Sequence, residues 1–384
     1  MKQVVNILFQ KDIKMKRKIL IVGAGLSGCT CARLLAEEGY AVSIVEKDIS
    51  LGGLCRDMIF HTGNCFIHRY GPHIFHTKQE YIWNFVNRFS KWRDFHVQQM
   101  SCIDGKYYHF PINFNTIEEV YQTDVKDKDD VDKLIHDKKY DDPKNFEEYA
   151  INDIGTKLYE MFFKNYTEKQ WKCKCSELPA EIYKRVGIRY NRDNDLFQNQ
   201  FQGLPNQGYS AFLANLVDHP NISVMVNYNY DYTNPFTDSG YDNVIYTGGY
   251  EGLPYRCTRF SLRKEHYNRD YHLLSLPNDK EAVRRTNYTS MHPISPDTNV
   301  KAIDVCIYEC PEANNSRIPC IPINTLENNM LYLQKRHEFM NLHPKAILIG
   351  RLSTYKYMNM DETIDQCFKT LSKENMIDAS KYFK

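Results

Sequence analysis

Apolar residues run without a break over 19–22, and small and apolar residues at helical spacing, among them Ala32, Leu34 and Leu35, follow soon after. Between the two stands Gly23-Ala-Gly25-Leu-Ser-Gly28. A second strand-like run over 40–45 ends in Glu46. Strand, glycine turn, helix, strand and terminal acid occur in the order of a dinucleotide-binding βαβ unit, with the acid at the roughly 20-residue interval such units use. Gly23 then permits the tight turn, Gly25 lets backbone approach a pyrophosphate, and Gly28 lets the helix pack closely on the strand. The helix N-terminus faces the phosphates. Glu46 would accept hydrogen bonds from a ribose and repel the extra phosphate of NADP, which favours FAD or NAD.

A second glycine pair, Gly52-Gly53, comes soon after the acid, as in flavoproteins where the chain passes the cofactor again, and makes FAD the better choice. Residues 78–92 carry Tyr81, Ile82, Phe85, Val86 and Phe89 at helical spacing, and Asp104-Gly105 marks a two-residue hairpin turn. Residues 126–142 mix Lys and Asp with little apolar content and read as a solvated helix or loop. Residues 145–190 read as helices, which breaks the α/β alternation and places an inserted helical lobe at 114–190. Strand signals return over 222–228, where Ile222, Val224 and Val226 alternate, and over 243–246, which runs into Thr247-Gly248-Gly249. A late apolar run over 346–349 meets Gly350-Arg351, and a helix with Ile364, Cys367, Phe368 and Leu371 follows.

The predicted fold is α/β. A doubly wound, Rossmann-like FAD-binding domain is assembled from 15–95, 200–255 and 340–384. The helical lobe spans 114–190, and an antiparallel β-sheet lobe takes 96–113 and 256–339.

Composition narrows the function classes. Hydrophobic residues make up 42% and charged residues 25%, as in globular proteins, and no apolar run approaches the roughly 20 residues that span a bilayer. Forty-nine Lys and Arg against 48 Asp and Glu leave +1, so nothing global draws the chain to nucleic acid or anionic lipid. An anionic ligand has to be met by a local site. The 12 cysteines are scattered; Cys29-Thr-Cys31 and Cys173-Lys-Cys175 have no second pair at zinc-ligand spacing, so no metal is expected and the thiols read as reduced and cytoplasmic. The opening MKQVVNILFQKDIK is a poor signal peptide, and Met15 is a second candidate start.

Chemistry concentrates in two places. Arg69-Tyr70-Gly71-Pro72-His73-Ile74-Phe75-His76-Thr77 follows the second glycine pair and returns towards the cofactor. Phe162, Phe163, Tyr166 and Trp171 crowd one helical segment, with Lys184-Arg185 downstream. Aromatic faces stack bases and sugars, and arginine forks match phosphate oxygens, so this equipment suits a nucleotide-bearing substrate. An aromatic core accounts for the same residues.

From Lys18 onward the chain resembles the UDP-galactopyranose mutases. The cofactor motif is followed in order by GPHIFHT (71–77), FPIN (110–113), YTEKQW (166–171), ELPAEIYKR (177–185), FQGLPNQGY (201–209), VIYTG (244–248), NYT (287–289) and GRLSTYKY (350–357). The resemblance implies FAD-dependent catalysis without net redox: N5 of reduced flavin attacks the anomeric carbon of UDP-galactopyranose, UDP leaves, the ring opens and recloses as the furanose, and UDP returns. It also implies a homodimer through the helical lobe. Carried over by motif, Gly23, Gly25, Gly28, Glu46, Gly52, Gly53, Thr247, Gly248 and Arg351 would hold FAD, with His73 beside the flavin ring. Phe162, Phe163 and Tyr166 would line the uridine pocket, and Trp171 would sit on a flap over the sugar. Arg185 and Tyr357 would grip the diphosphate and, with His73, form the catalytic set; Asn113 and Asn359 would lie on the substrate side.

The chain departs from the family around the substrate. After Asn287-Tyr288-Thr289 the family carries a second diphosphate-binding arginine, and here the chain reads SMHPISPDTNVKAID. Cys320-Ile321 replaces a tyrosine pair, Asn359 an aspartate, and Leu196 a tyrosine. Each lost charge-assisted hydrogen bond is worth about 1.5–3 kcal/mol. The expectation is therefore a mutase of UDP-galactose or of a related sugar nucleotide, such as an N-acetylated or deoxy hexose. The alternatives are a flavin oxidoreductase of the amine-oxidase or desaturase type and a FAD-binding relative impaired in catalysis.

Overall fold

The computed structural model describes residues 17–135, 139–184, 186–265, 271–294, 304–312 and 321–382. Met15, Arg185 and Cys320 lie outside the described residues.

Five parallel strands form the cofactor sheet in the order Ile222–Met225, Ala41–Val45, Lys18–Val22, Asn243–Tyr246, Ala346–Leu348. The central strand is apolar from Ile19 to Val22, where both its faces are covered. Ile19 and Ile21 pack under the helices Leu26–Glu37 and Met360–Lys373, while Leu20 and Val22 face a second cluster with Tyr246 and Phe339. The α/β expectation holds, with the sheet drawn from three separated stretches of chain, 18–45, 222–246 and 346–348.

The second sheet has seven strands in the order Ile321–Pro322, Tyr255–Glu265, Asp304–Glu312, Arg284–Asn287, Leu273–Ser275, Gln99–Ile103, Lys106–Phe110. Asp104 and Gly105 have φ of 51° and 81°, the left-handed pair a two-residue hairpin turn needs. Two expectations for this lobe are corrected. The sheet is mixed, because Leu273–Ser275 runs parallel to Gln99–Ile103. Residues 326–339 do not belong to it: they form most of the helix Leu326–Leu342, whose Phe339 packs 4.5 Å from Tyr246 on the cofactor sheet.

The inserted lobe carries the helices Phe114–Tyr121, Lys128–Leu134, Phe146–Leu158, Asn165–Trp171 and Ala180–Tyr183. Between the third and fourth the chain widens into a π-helical turn over Tyr159–Lys164, a local change of period that re-aims the side chains beyond it. The core of the lobe takes in Ile103, Phe110 and Ile321 from the second sheet, so helices and sheet pack as one wall opposite the cofactor domain.

Candidate functional site

Close backbone packing builds the cofactor end. Gly23 leaves its strand at a φ of 102°, and its N–H donates to Val45 O at 2.8 Å. A Cβ on Gly28 would stand 1.9 Å from Gly23 O, a clash that glycine avoids. The chain then returns: Gly52 N–H donates to Ala24 O at 2.9 Å, and a Cβ on Gly53 would stand 3.0 Å from Gly25 Cα. The two glycine segments interlock. With the N-terminus of Leu26–Glu37 they form one wall of a cleft of about 860 Å³.

Glu46 ends the second strand as a buried carboxylate. Its Oε2 accepts Ala24 N–H at 2.7 Å and its Oε1 accepts Asp48 N–H at 2.8 Å, so each oxygen retains lone-pair capacity for a hydroxyl in the cleft. Asp48 pairs with Arg56 at 2.6 Å, and Arg56 also donates to the Tyr70 hydroxyl at 3.2 Å, tying the acid's loop to the segment that carries His73. Thr247, Gly248 and Arg351 stand in the opposite wall. So does the stretch 228–233, held there by Tyr228 N–H to Glu46 O at 2.9 Å, which the sequence reading did not assign. Its one signal is the tyrosine-rich NYNYDY at 227–232. Interlocked glycines, a buried acid and an open cleft between them fit a bound dinucleotide.

His73 lies in the cleft wall on a support of two further imidazoles. Its own Nδ1 bonds Gly71 O at 2.8 Å and so carries the proton, which leaves Nε2 as an acceptor. Burial and then the Arg351 guanidinium push it down to about 4, so the ring is neutral near pH 7. His73 N–H donates to His68 Nδ1 at 2.9 Å, which fixes the His68 proton on Nε2; that N–H donates to His292 Nδ1 at 3.0 Å, and His292 Nε2–H reaches Pro205 O at 3.0 Å. Asp57, His68 and His292 stand close enough to suggest a metal trio, within 4.8 Å of one another. The relay already uses every ring nitrogen of the two histidines, and Asp57 accepts Ser210 N–H at 2.9 Å besides, so the trio acts as a brace under His73.

Arg351 links this end to the helical lobe. Its guanidinium lies 5.1 Å over the ring of Tyr357, and Tyr357 meets Trp171 edge-on at 6.1 Å. Tyr166, on the same helix as Trp171, is half-buried between Arg284, Glu309, Arg256 and Tyr357, and burial raises its hydroxyl above the ordinary value. Lys169 of that helix donates to the carbonyls of Leu276 at 2.8 Å, Pro277 at 3.1 Å and Asp279, fastening it to the sheet lobe.

The sequence profile of the UDP-galactopyranose mutase family matches residues 161–357, and that of the NAD(P)-binding Rossmann-like domain matches 21–89. The chain is 35% identical over 365 residues to a probable UDP-galactopyranose mutase of Klebsiella pneumoniae, covering 92% of this chain and 94% of that one. The chain belongs to the UDP-galactopyranose mutase family. It is also 32% identical to the dTDP-fucopyranose mutase of Escherichia coli, over 92% of this chain and 97% of that one. Its fold matches a crystal structure of reduced UDP-galactopyranose mutase with a TM-score of 0.74 at 15% identity, covering 96% of each chain. A likeness to a protoporphyrinogen oxidase fold from Exiguobacterium, TM-score 0.64 at 12% identity, covers 94% of this chain and 98% of that one.

Set against the family motifs, the structure brings some site residues together and puts others elsewhere. Gly23, Gly25, Glu46, Gly53, His73, Thr247, Gly248 and Arg351 all line the one cleft. Gly28 and Gly52 shape it from behind. Tyr166, Trp171 and Tyr357 gather beyond Arg351. Phe162 and Phe163 are core residues of the helical lobe, the first against Tyr108 and the second between Phe110, Phe146 and Tyr183. Asn113 is corrected: it is fully buried as the N-cap of Phe114–Tyr121, accepting Thr116 N–H at 3.2 Å and donating to Asp193 O and Asn194 Oδ1 at 2.8 Å each, so its amide is spent on structure. Asn359 is the N-cap of Met360–Lys373, its N–H donating to Glu362 at 2.6 Å.

Proposed function

We propose that the chain is a FAD-dependent nucleotide-sugar mutase. It interconverts UDP-galactopyranose and UDP-galactofuranose, or the two ring forms of a closely related sugar nucleotide, with the flavin reduced and no net redox. The observation that carries this reading is the unbroken run from Glu46 and the interlocked glycines, through Arg351 and Tyr357, to Trp171 on the helical lobe. A cofactor cleft that ends on aromatic rings and a guanidinium positions a sugar nucleotide against the cofactor.

Reduced FAD, when bound, would supply the nucleophile for the anomeric carbon. The chain's own residues orient and screen. His73 stays neutral and offers Nε2 as an acceptor, so it places no cation beside the reacting sugar. Tyr357 stands at the junction with its ring under Arg351, and the resemblance makes it and Arg185 diphosphate ligands. The dTDP-fucopyranose mutase relative supports a second substrate reading, a deoxy sugar on dTDP. A cytoplasmic setting belongs to the proposal and is supported by the eleven described cysteines, all free thiols. So does the homodimer, which rests on the resemblance. Among the described residues no helix is long and apolar enough to cross a membrane.

The test is to purify the protein, reduce its flavin with dithionite, and follow UDP-galactopyranose and dTDP-fucopyranose by chromatography. Furanose formed only after reduction supports the mutase. Substrate-driven flavin reduction would instead mark an oxidoreductase, and bound, reducible FAD with no furanose from either sugar nucleotide would mark the impaired relative.

A further inference from the structure

Arg284 and Glu309 stand directly opposite each other on the adjacent strands Arg284–Asn287 and Asp304–Glu312. Their side chains form a two-pronged ion pair, Nε to Oε1 at 2.8 Å and Nη2 to Oε2 at 2.9 Å. The neighbouring Arg285 points to the other face of the sheet, where it meets Glu265 at 3.2 Å. The pair is lopsided: the Glu309 side chain is 4% exposed and that of Arg284 22%. The carboxylate is sealed in while the guanidinium keeps an open edge, and among the described residues Nη1 has no acceptor.

The pair stands between the two halves of the site. On the cofactor side lies Gly71, whose φ of 96° calls for glycine and whose backbone brings the His73 segment against the pair: a Cβ there would stand in ordinary contact, 3.4 Å from Glu309 Oε2 and 3.8 Å from Arg284 Nη2. On the other side lies Tyr166, which also faces Arg256. Burial works against the Arg284 charge and Glu309 more than offsets it, so the guanidinium stays ionised. Arg256, Arg284 and Arg351 against Glu309 leave two positive charges around Tyr166 and His73, the complement of a nucleotide diphosphate. A buried ion pair is a weak source of stability compared with apolar packing, so its retention here calls for another use.

We infer that Arg284, held in orientation by Glu309, is an anion-binding residue of this site that turns its free Nη1 edge to the diphosphate of the sugar nucleotide. The inference rests on the mutase reading above. Glu309 fixes the plane of the guanidinium before substrate arrives, so little side-chain freedom is lost when the diphosphate binds.

The test uses the FAD-loaded protein and its variants Arg284→Met and Arg284→Lys, titrated calorimetrically with UDP and uridine and with dTDP and thymidine. Arg284→Met should weaken diphosphate binding by about tenfold or more and leave nucleoside binding unchanged, with Arg284→Lys between the two. Diphosphate affinity equal to wild type in both variants, or an equal loss for nucleoside and diphosphate, overturns the inference. The bound-flavin spectrum and melting temperature report folding; if Arg284→Met loses FAD, Arg284→Lys decides. A wild-type holoenzyme that binds neither UDP nor dTDP would overturn the mutase reading itself, an outcome distinct from variants that bind as wild type does.

Discussion

Arg351 stacks over Tyr357 at 5.1 Å while its Nη2 donates to the carbonyl of Met358, so one guanidinium is both a wall of the cofactor cleft and the roof of a substrate-side aromatic. A lysine cannot do both, because its ammonium lacks the planar fork. Arg351→Lys should lower FAD retention on dialysis and turnover together, each by about tenfold, as expected for the loss of one charge-assisted contact. Tyr357→Phe should leave FAD bound and lower turnover alone. Flavin occupancy by absorbance, read beside initial rates, separates the two, and unchanged occupancy in Arg351→Lys would contradict the shared role.

Glu46 serves two backbone donors at once, through Oε2 to Ala24 N–H and Oε1 to Asp48 N–H. Glu46→Gln replaces one acceptor with an amide N–H that faces a donor. The cost to the apo protein should be on the order of 1–3 kcal/mol, and FAD affinity should fall as well. Melting curves with and without added FAD check this: the gap between them should narrow in the variant, and a gap as wide as in wild type would mean that the acid does not touch the cofactor.

The cofactor end was legible because its physics is local. Gly23, Gly25, Gly28 and Glu46 lie within one βαβ unit, where spacing along the chain is spacing in the fold. The substrate end was less so. Asn113 follows from its motif as a site residue; its capping bond to Thr116 is local, but its amide N–H groups are spent on Asp193 and Asn194, 80 and 81 positions away. Arg284 lies three residues before the NYT motif and outside every family motif, and its orientation depends on cross-strand pairing with Glu309. The tyrosines at 228–233 reach the cleft because the edge strand Ile222–Met225 ends beside Glu46, a placement that no periodicity encodes.

Acid should destabilise the fold at unusually mild pH. Burial holds His68 well below its ordinary value and His292 at about 4, and His73 and His272 are also lowered to about 4. Unfolded histidine titrates near 6.5, so as pH falls from about 6.5 towards 4 the unfolded chain takes up protons that the folded chain refuses, and stability drops. Each fully buried ring contributes at most about 1.4 kcal/mol per pH unit in that window. Asp57 and Asp361, both raised by burial, work in the opposite sense, two carboxylates against four imidazoles. Urea midpoints at pH 7.5, 6 and 5 should decline in that order, and a midpoint that is flat or rising on acidification would rule out a neutral relay beneath His73.

Lys169 tests whether the aromatic helix is held from outside the helical lobe. Its ammonium has three N–H donors, and the carbonyls of Leu276, Pro277 and Asp279 offer three acceptors on one turn of the sheet lobe; Asn165 reinforces the seam through Asn278 at 3.0 Å. Lys169→Met keeps the stem and removes all three bonds, leaving the Asn165–Asn278 bond to hold this seam of the helix Asn165–Trp171. Tyr166 and Trp171 would then lose register with Tyr357, on the opposite side of the junction. The variant should hold FAD as wild type does, since among the described residues none of the Lys169 hydrogen bonds runs to a cleft residue, while KM for the sugar nucleotide rises by about tenfold for roughly 1.4 kcal/mol of lost positioning. Steady-state kinetics on the reduced enzyme give the answer. A KM equal to wild type would show that the helix keeps its place without the seam, whereas loss of bound FAD would show that the seam supports the whole domain arrangement rather than the aromatic pair.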